Sequence, residues 1–393
     1  MRLSSVLLGA ASVPLVYLIG VRTLGKRPAL LGAALLSLSP FAVFYSSEAR
    51  AYTMMMFFVA ASMLALLVAV QRSSARWWVA LGLNSVAALY THYTAVFAIA
   101  VLPAWALVAV PRVRRPVVLT YGAVVLAYLP WLPYLNPSPL LVGAIGMLYP
   151  FSAGHVAEST LRALAGLPFG PISRFPGSVG LVALSLVAVA VVAGAVLSMS
   201  RPRDASGRSR GRIVLLIAVG VATPLALLIY SAFDTNLYVA RNLTASLPAA
   251  LLLIAGALTR LPPAVGGSAA ALLLTVFIAG NIALLGPLKR PATKDAARFV
   301  DARASAHDVV AEASVFASRG PLSRPSRVYL NRPLRPLDLS GGVFEEARQR
   351  RTRVFVIGPT LQPDQPPDDF VRVDERTWNG LYPVSVRVYR PRR

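Results

Sequence analysis

The chain of 393 residues divides into an apolar part and a polar part. Hydrophobic residues make up 56% of it, mean hydropathy is +0.62 and only 14% of residues are charged, whereas soluble domains average about 25% charged residues. Only four acidic residues lie before residue 288, namely Glu48, Glu158, Asp204 and Asp234. The sequence therefore predicts a membrane-embedded region, residues 1–287, followed by a water-exposed domain, residues 288–393.

The net charge of +23 does not indicate a nucleic-acid partner, because much of it lies in short clusters between apolar runs, where membrane topology accounts for it. The absence of cysteine excludes disulfides and thiolate metal sites. The three histidines, His92, His155 and His307, lack metal-ligand spacing. No metal ligand is therefore assigned, although a divalent ion as cofactor stays open. No phosphate-binding or dinucleotide-binding loop is present.

Apolar runs predict the membrane spans, since a spanning helix needs about 20 apolar residues. Ten candidates follow one another along the chain, at residues 3–21, 28–46, 51–70, 77–91, 94–110, 116–134, 177–199, 213–232, 243–259 and 265–286. Between the sixth and seventh lies a long loop, residues 135–176, which is rich in Pro and Gly. This loop is expected to lie along the membrane surface or to line a cavity.

Basic residues mark every second connection between these spans. Fourteen Lys and Arg residues, against one Asp, fall in loops 22–27, 71–76, 111–115 and 200–212 and at Arg260. The positive-inside rule makes these connections cytoplasmic and the alternate ones external. We therefore expect a multi-pass protein of a plasma membrane with its C-terminal domain outside, and the richness in Ala and Arg indicates a bacterial source. The same alternation starts the chain outside, which predicts a further helix and outer loop upstream of Met1.

The tail is predicted to be a small α/β domain. Helices are expected at residues 292–304 and 343–351. Enrichment in β-branched and aromatic residues predicts strands at residues 309–313, 354–357, 370–374 and 384–389.

A first cluster of ionisable residues lies at an outer helix end, in the segment Tyr-Ser-Ser-Glu-Ala-Arg-Ala-Tyr at 45–52. Charged groups at membrane depth are costly and mark functional sites. Arg50 is suited to hold a phosphate through two parallel hydrogen bonds, and Glu48 to orient that Arg or a hydroxyl. If the third span begins near Glu48, then Glu48 and Tyr52 share one helix face. The alternative is that Arg50 reaches lipid headgroups and Glu48 neutralises it.

A second cluster, residues 90–94, lies at the outer end of the fourth span. Its His92 could hydrogen-bond a sugar or a phosphate, or shuttle a proton, with Tyr93 beside it. The alternative is that Tyr90 and Tyr93 are interfacial aromatic residues and that His92 has no role of its own.

A third cluster, residues 234–242, connects the eighth and ninth spans on the outer side. Arg241 begins a helix, so it is a second candidate phosphate ligand, and Asp234 is a candidate substrate ligand. The alternative is a simple ion pair between Asp234 and Arg241. The ionisable residues of the long loop are expected to keep it solvated rather than to contact an acceptor: His155, Glu158, Arg162 and Arg174.

In order along the chain, these segments resemble the polytopic GT-C glycosyltransferases, of the protein mannosyltransferase and lipid-A aminoarabinose transferase type. Residues 2–7, Arg-Leu-Ser-Ser-Val-Leu, resemble the start of a helix in that family, and residues 38–52 resemble its Ser-Pro and Glu-Ala-Arg-Ala-Tyr segment. Residues 90–93 resemble its Thr-His-Tyr element, residues 241–248 a later helix, and residues 294–310 the entry to its outer domain.

The resemblance implies a GT-C-like helical bundle that transfers a mannose-like sugar, with inversion, from a polyprenyl-phosphate carrier to an extracytoplasmic glycan, lipid or protein. It implies that Arg50 and Arg241 hold the donor phosphate and that His92 contacts the sugar or phosphate as a catalytic residue. The other implied substrate ligands are Tyr52, Tyr93 and Asp234. The family carries its main catalytic carboxylate in a loop that precedes the helix with which this chain starts, so Glu48 is expected to have a supporting role.

Two other functions remain as alternatives, a transporter or flippase for lipid-linked sugars and a non-catalytic scaffold. Transporters place polar groups at the membrane midplane and show repeated halves. This sequence gathers its ionisable groups at one face and shows no repeat, which favours the enzyme.

Overall fold

The structure is a computed structural model. It describes residues 2–72, 74–135, 151–166, 177–200, 207–286, 292–312, 326, 329–330, 337–338, 341–359, 366–380 and 383–392. Backbone contacts divide the chain into two compact units. One comprises Met1–Gly170 and Phe175–Asn281, and the other comprises Pro171–Arg174 and Ile282–Arg393.

The described residues of the apolar region lie mostly in helices. Its α-helices are α1 (Arg2–Thr23), α2 (Lys26–Leu38), α3 (Pro40–Ser47), α4 (Tyr52–Arg72), α5 (Ala75–Thr91), α6 (Ala95–Ala109), α7 (Arg114–Tyr128), α8 (Ala153–Ala165), α9 (Gly177–Ser200), α10 (Gly207–Phe233), α11 (Leu247–Leu258) and α12 (Pro263–Leu285). Short 3₁₀ segments, Pro111–Val113 and Leu129–Leu135, flank α7, and a third, Ala240–Ser246, leads into α11.

Every predicted span falls on a helix, and the protein is a multi-pass membrane protein. Within the described residues, seven helical stretches are long and apolar enough to cross a membrane alone, and the bent pair α2 and α3 makes an eighth. The helices α5 and α6 have 17 and 15 residues and therefore rise only about 25 and 22 Å. Length and composition thus support up to eight of the ten predicted spans.

The predicted span at residues 28–46 is two helices rather than one. Their axes differ by 51°, and the break lies at Ser39. The Ser39 hydroxyl accepts a hydrogen bond from the Ala42 N–H, and Pro40 occupies the first helical position of α3. A serine N-cap followed by proline starts a new helix, because proline lacks the N–H that would continue the previous one. The break therefore sets the direction of α3 and with it the position of Glu48, which follows α3 directly.

Contacts between helices fix which helix ends lie together. The helices α1 and α4 run in the same direction, because Gly9 lies against Thr53 and Ile19 and Met63 line one small apolar cavity. A Cβ atom at Gly9 would lie 2.2 Å from the hydroxyl oxygen of Ser46 in α3. Glycine is therefore required there for α1 to approach α3 this closely.

The directions of α5 and α7 follow from similar contacts. The hydroxyls of Ser62 in α4 and Ser85 in α5 lie 3.4 Å apart, and only residues 73 and 74 separate the two helices in the chain, so they are antiparallel. The helix α7 runs parallel to α5, because Gly82 faces Thr120 and the Tyr90 hydroxyl donates to the carbonyl of Ala127. We call the end of the bundle with the start of α4 the Glu48 end, and the opposite end the Arg72 end.

The second unit contains a five-stranded sheet in the order β2-β1-β3-β5-β4. Its elements are α13 (Thr293–Arg303), β1 (Val309–Glu312), β2 (Leu337–Asp338), α14 (Gly341–Arg350), β3 (Val354–Pro359), β4 (Phe370–Trp378) and β5 (Val384–Pro391). The strands β2, β1 and β3 are parallel, whereas β5 is antiparallel to β3 and β4. The predicted helices and strands are confirmed, and β2 is an additional strand that the sequence did not indicate.

The two helices of this unit cover opposite faces of the sheet. Val310 points to the side of α13, where it packs with Phe299, and Val309 points to the side of α14, where it packs with Phe344. Consecutive residues of a strand face opposite sides of a sheet. Both faces are therefore buried, which explains why β1 is apolar at consecutive positions.

A buried carboxylate precedes β1. Asp308 accepts hydrogen bonds from the N–H of Ser305, the hydroxyl of Thr352, and the N–H and guanidinium of Arg353. Burial alone would raise its pKa, but the hydrogen bonds from Arg353, Thr352 and Ser305 outweigh this effect and hold the pKa of Asp308 well below its usual value. The ionised carboxylate ties β1 to the residues that lead into β3.

Candidate active site

The structure brings the predicted site residues to the Glu48 end of the bundle. Glu48 and Arg50 lie in the turn between α3 and α4, Tyr52 begins α4, and His92 and Tyr93 lie between α5 and α6. Asp234 follows α10, and Arg241 lies in the 3₁₀ segment before α11. These are all helix ends or connections, so the side chains converge although they come from distant parts of the sequence.

Aromatic rings connect the first cluster to the second. The ring of Tyr52 lies 5.0 Å from that of Tyr45 and 5.2 Å from that of His92, measured between centroids. The rings of His92 and Tyr93 stack with 4.6 Å between centroids and an interplanar angle of 24°. A continuous row of rings therefore runs from α3 to the α5–α6 connection, and it places Tyr52 beside His92.

Arg241 completes this arrangement. Its charge acts electrostatically on both His92 and Tyr93, so the third cluster lies beside the second. Contacts between α4 and the 3₁₀ segment bring it next to the first cluster as well. The first and second clusters are about 40 residues apart in the chain, and the second and third about 150. The three thus form one site.

Glu48 and Arg50 approach each other loosely. The Arg50 Nε atom is 4.0 Å from a Glu48 carboxylate oxygen, and the side chains are 56% and 23% exposed. Glu48 ends α3 in extended backbone conformation, with φ −94° and ψ 143°, and α4 begins only at Tyr52. The prediction that Glu48 and Tyr52 share a helix face is therefore wrong, because Glu48 lies outside both helices as the C-cap of α3.

His92 is an uncharged hydrogen-bonding group in this site. Its Nδ1 atom accepts a hydrogen bond from the Thr94 N–H at 3.3 Å and lies 2.8 Å from the Thr94 hydroxyl. An accepting Nδ1 places the proton of the neutral ring on Nε2. Burial, and in second place the charge of Arg241, lowers the pKa of His92 to about 4. The ring can therefore donate from Nε2 without carrying positive charge.

Asp234 lies at the edge of the site and is held locally. Its carboxylate accepts hydrogen bonds from the hydroxyl of Tyr230 at 2.8 Å and from the N–H of Thr235 at 2.7 Å. These two bonds hold the pKa of Asp234 below its usual value. The carboxylate is thus ionised and oriented by its own chain segment.

The connection that carries Arg241 is held from several sides. The hydroxyl of Ser231 accepts from the N–H groups of Leu237 and Tyr238, and the side chain of Asn236 accepts from the Tyr238 N–H as well. The side-chain amide of Asn242 donates to the carbonyl of Leu237. Satisfied backbone groups make such a buried connection rigid, so the position of Arg241 is fixed by its neighbours.

The helix α8 of the long loop also binds this connection, and sequence reasoning missed this contact. The Nε2 atom of His155 donates to the Tyr238 carbonyl at 3.0 Å, and the Tyr238 hydroxyl lies 2.9 Å from the Thr160 hydroxyl. Thr160 donates its own proton to Val156, so Tyr238 is the donor in the second bond. The expectation that His155 merely solvates the loop is wrong, because the side chain is half-buried against Tyr238.

The other ionisable residues of α8 pair with each other. Arg162 and Glu158 form an ion pair of 2.5 Å, and their side chains are 23% and 20% exposed. They too are half-buried rather than fully solvated, and Arg174 lies outside the described residues. At the end of α8, Gly166 has a positive φ of 123°, and a Cβ atom there would lie 2.6 Å from Pro40. The helix α8 therefore contacts both α3 and the connection that carries Arg241.

No cluster of metal-binding type is found in the described part of the chain, where no three His, Asp or Glu side chains converge. The described side chains at this end of the bundle include two guanidinium groups, a neutral imidazole, phenols and carboxylates. Guanidinium groups bind phosphate oxygens in a two-pronged geometry, and phenols and imidazole donate hydrogen bonds to oxygen.

Known proteins match this chain in both sequence and structure. Residues 1–134 match the family model described as dolichyl-phosphate-mannose-protein mannosyltransferase. No protein with a curated description matches the sequence significantly. The crystal structure of ArnT from Cupriavidus metallidurans in the apo state matches with a TM-score of 0.54 and 14% identity, covering 98% of this chain and 83% of ArnT. This chain has the fold of ArnT. A second ArnT structure, bound to undecaprenyl phosphate, gives a TM-score of 0.52 at the same identity and coverage.

The family match and the ArnT fold confirm the resemblance predicted from the sequence. The matched residues include the first and second clusters, with Glu48, Arg50, Tyr52, His92 and Tyr93. The third cluster, with Asp234 and Arg241, lies beyond the family match but inside the region that ArnT covers. The fold is thus that of ArnT, and the match to the mannosyltransferase family model covers the first third of the chain.

Proposed function

We propose that the protein is a membrane glycosyltransferase that moves a mannose-like sugar from a polyprenyl-phosphate carrier to an acceptor outside the cytoplasm. The fold, the family match of residues 1–134 and an ArnT structure bound to undecaprenyl phosphate support this class of donor. The observation that carries the proposal is the placement of Arg241 beside His92 and Tyr93, at the same end as Arg50. Two guanidinium groups near one membrane surface are what a lipid phosphate needs.

In this proposal, Arg241 and Arg50 bind the phosphate of the donor. Arg241 is half-buried, so its hydrogen bonds to phosphate form in a medium of lower polarity than water and are stronger there. Arg50 is more exposed and is suited to the approach of the lipid headgroup. Tyr52, Tyr93 and Asp234 contribute further hydrogen-bonding groups to the donor. His92 donates from Nε2 to a sugar or phosphate oxygen.

The reaction is a single displacement at the anomeric carbon, which inverts its configuration. The acceptor oxygen forms a bond to that carbon, the bond from the carbon to the phosphate oxygen breaks, and the acceptor proton passes to a base. The phosphate leaves as an anion that the two arginines stabilise, so no strong acid is needed at the leaving group. Glu48 is half-buried and supports the site by orienting Arg50 or the acceptor hydroxyl.

Localisation follows from charge. The connections at the Arg72 end are basic, so we place that end in the cytoplasm of a bacterium and the Glu48 end outside. The water-exposed domain, residues 288–393, then lies outside as well. Glycans, lipids and proteins of the cell envelope are the acceptors available at that surface.

The distribution of ionisable groups favours an enzyme over a transporter. Glu48, Asp234 and Arg241 lie at helix ends on one side, whereas transporters bind their substrates near the membrane midplane between repeated halves. A non-catalytic scaffold would need none of these groups to be arranged around a phosphate. Measured transfer therefore separates the proposal from both alternatives.

The test is transfer of labelled sugar from polyprenyl-phosphate mannose, using membranes that contain the full chain. We expect Arg241→Ala to abolish transfer and to weaken binding of undecaprenyl phosphate to the purified protein. Arg260→Ala is the matched control, because it removes the same charge at the Arg72 end. Arg260 follows α11, and Gly256 near the end of α11 lies against Leu24, which connects α1 to α2 at that end. Full transfer and full binding by Arg241→Ala would refute the phosphate site.

A further inference from the structure

The Arg72 end carries a cluster of arginines that the proposed reaction does not use. Two connections contribute them, residues 71–76 between α4 and α5 and residues 111–115 before α7. All five side chains are exposed: Arg72, Arg76, Arg112, Arg114 and Arg115. We call this set the arginine cluster.

The helix directions bring the two connections together. The helices α5 and α7 are parallel neighbours, and Gly82 faces Thr120. Arg76 precedes Gly82 by six residues and Arg114 precedes Thr120 by six residues. The two arginines therefore begin adjacent helices at the same level of the bundle.

Hydrogen bonds to the backbone hold part of the cluster in place. The guanidinium of Arg112 donates to the carbonyl of Val70 at 3.1 Å, which places it near Arg72 at the end of α4. The Nε atom of Arg114 donates to the carbonyl of Leu107 at 3.0 Å. A guanidinium has five N–H donors, so each of these bonds uses one and leaves the fork geometry available to an oxyanion.

The surrounding sequence supplies no negative charge to this cluster. Between Glu48 and Glu158 the chain contains no Asp or Glu, and both of those residues belong to segments at the Glu48 end. The remaining acidic residue expected at the Arg72 end, Asp204, lies outside the described residues. Five like charges in two short connections repel one another unless an anion binds between them.

Two tryptophans mark the depth of the cluster in the membrane. Trp77 and Trp78 follow Arg76 and are half-buried, and the Arg76 guanidinium carbon lies 5.8 Å from the Trp77 ring centroid. Tryptophan is enriched at the level of the lipid headgroups. The arginines therefore lie where phospholipid phosphates lie, rather than in the aqueous phase.

We propose that the arginine cluster binds the phosphate of an anionic phospholipid, between the ends of α4, α5 and α7. Clusters of four to eight basic residues next to membrane helices attract anionic headgroups, with about 1 kcal/mol from each residue near the surface. The phosphodiester of the lipid accepts from Arg76 and Arg114, and its acyl chains follow the apolar surface of α7. This site is independent of the proposed transferase activity.

The test measures binding of phosphatidylglycerol to the purified full chain by native mass spectrometry. The double variant Arg76→Gln/Arg114→Gln should bind the lipid about thirtyfold more weakly, which corresponds to about 2 kcal/mol at 1.4 kcal/mol for each factor of ten. The matched control Arg22→Gln/Arg27→Gln removes the same charge from the connection of α1 and α2 and should change the affinity less than about twofold, because salt screens charges that do not contact the bound lipid. Phosphatidylcholine should bind equally weakly to all three proteins.

Three other results of this experiment would overturn the phospholipid site. Equal weakening by the control pair would show a diffuse effect of charge and overturn the site. Unchanged binding by the double variant would overturn it as well, and so would displacement of the lipid by equimolar glycerol phosphate, because the site would then bind free phosphate. Arg76→Lys/Arg114→Lys keeps the charge but loses the fork, so its affinity should lie between those of the unchanged chain and the Gln double variant, a graded loss that misfolding would not give.

Discussion

Replacing His155 with alanine is expected to release α8 from the connection that carries Arg241. The substitution removes the N–H that donates to the Tyr238 carbonyl at 3.0 Å. Tyr238 is 5% exposed, so water has little access to that carbonyl. The second bond between the two elements, from the Tyr238 hydroxyl to Thr160, is retained.

The size of the effect follows from these two bonds. A buried acceptor that loses its donor costs about 1–3 kcal/mol, and a neutral hydrogen bond contributes about 1 kcal/mol net. His155→Ala should therefore weaken the docking of α8 by about 2 kcal/mol, and Thr160→Val by about 1 kcal/mol. The docked and open states of α8 are in equilibrium, so His155→Ala should raise the population of the open state about thirtyfold.

Hydrogen exchange measured by mass spectrometry on the protein in nanodiscs reports this opening directly. Amides of Ala153–Ala165 should exchange about thirtyfold faster in His155→Ala, whereas those of α4 should not change. His155→Gln is the matched control, since its side-chain amide also donates to a carbonyl, and it should restore much of the protection. If the proposed transferase activity is present, the KM for the lipid donor should rise with opening, because Arg241 loses part of its support.

Unchanged amide protection of α8 in His155→Ala would contradict this prediction. That result would mean that apolar contacts, such as the packing of Leu161 and Ala183 against Ala165 and Val276, hold the helix without the polar bonds. Loss of protection in His155→Gln equal to that in His155→Ala would also contradict it. The ring of His155 would then matter for its shape and not for its donor.

Four further predictions follow. Arg241→Lys keeps the charge but loses the fork, so the KM for the lipid donor should rise about tenfold in a transfer assay. Because the pKa of His92 is about 4 rather than 6.5, transfer should show no inflection near pH 6.5, and stability should fall as pH drops from 6.5 to 4, where the unfolded chain binds more protons. Asp308→Asn should lower the stability of its domain by about 2 kcal/mol in thermal unfolding. Gly9→Ala should destabilise by about 1–3 kcal/mol, whereas Gly122→Ala, with open space around it, should not.

The sequence predicts the helices and most strands because their signals are local. Long apolar runs define the spans, and β-branched runs define the strands of the C-terminal sheet. The strand β2 has two described residues, Leu337 and Asp338, which pair with β1. Two residues are too few to form a β-branched run that would predict a strand. The break at Ser39 did carry a local signal, a serine followed by proline, but the apolar run through residues 28–46 outweighed it.

The candidate site is predictable in part because charge is scarce in the membrane region. Each Glu, Asp or Arg at an outer helix end stands out, and the structure places Arg50, His92 and Arg241 at one end. The contact between His155 and Tyr238 spans 83 residues and joins a side chain to a backbone carbonyl. Any residue has a carbonyl, so no pattern of side chains marks Tyr238 as the partner.

The role of His92 shows where sequence reasoning must stop. A histidine at a membrane surface suggests a proton carrier, because its ordinary pKa lies near neutrality. The pKa here depends on burial between α5 and α6 and on Arg241, which lies almost 150 residues away in the chain. Both causes exist only in the folded bundle, and both favour the neutral ring. Burial, and in second place the guanidinium of Arg241, thus removes the charge from the imidazole, so the proposed function gives His92 a hydrogen-bonding role.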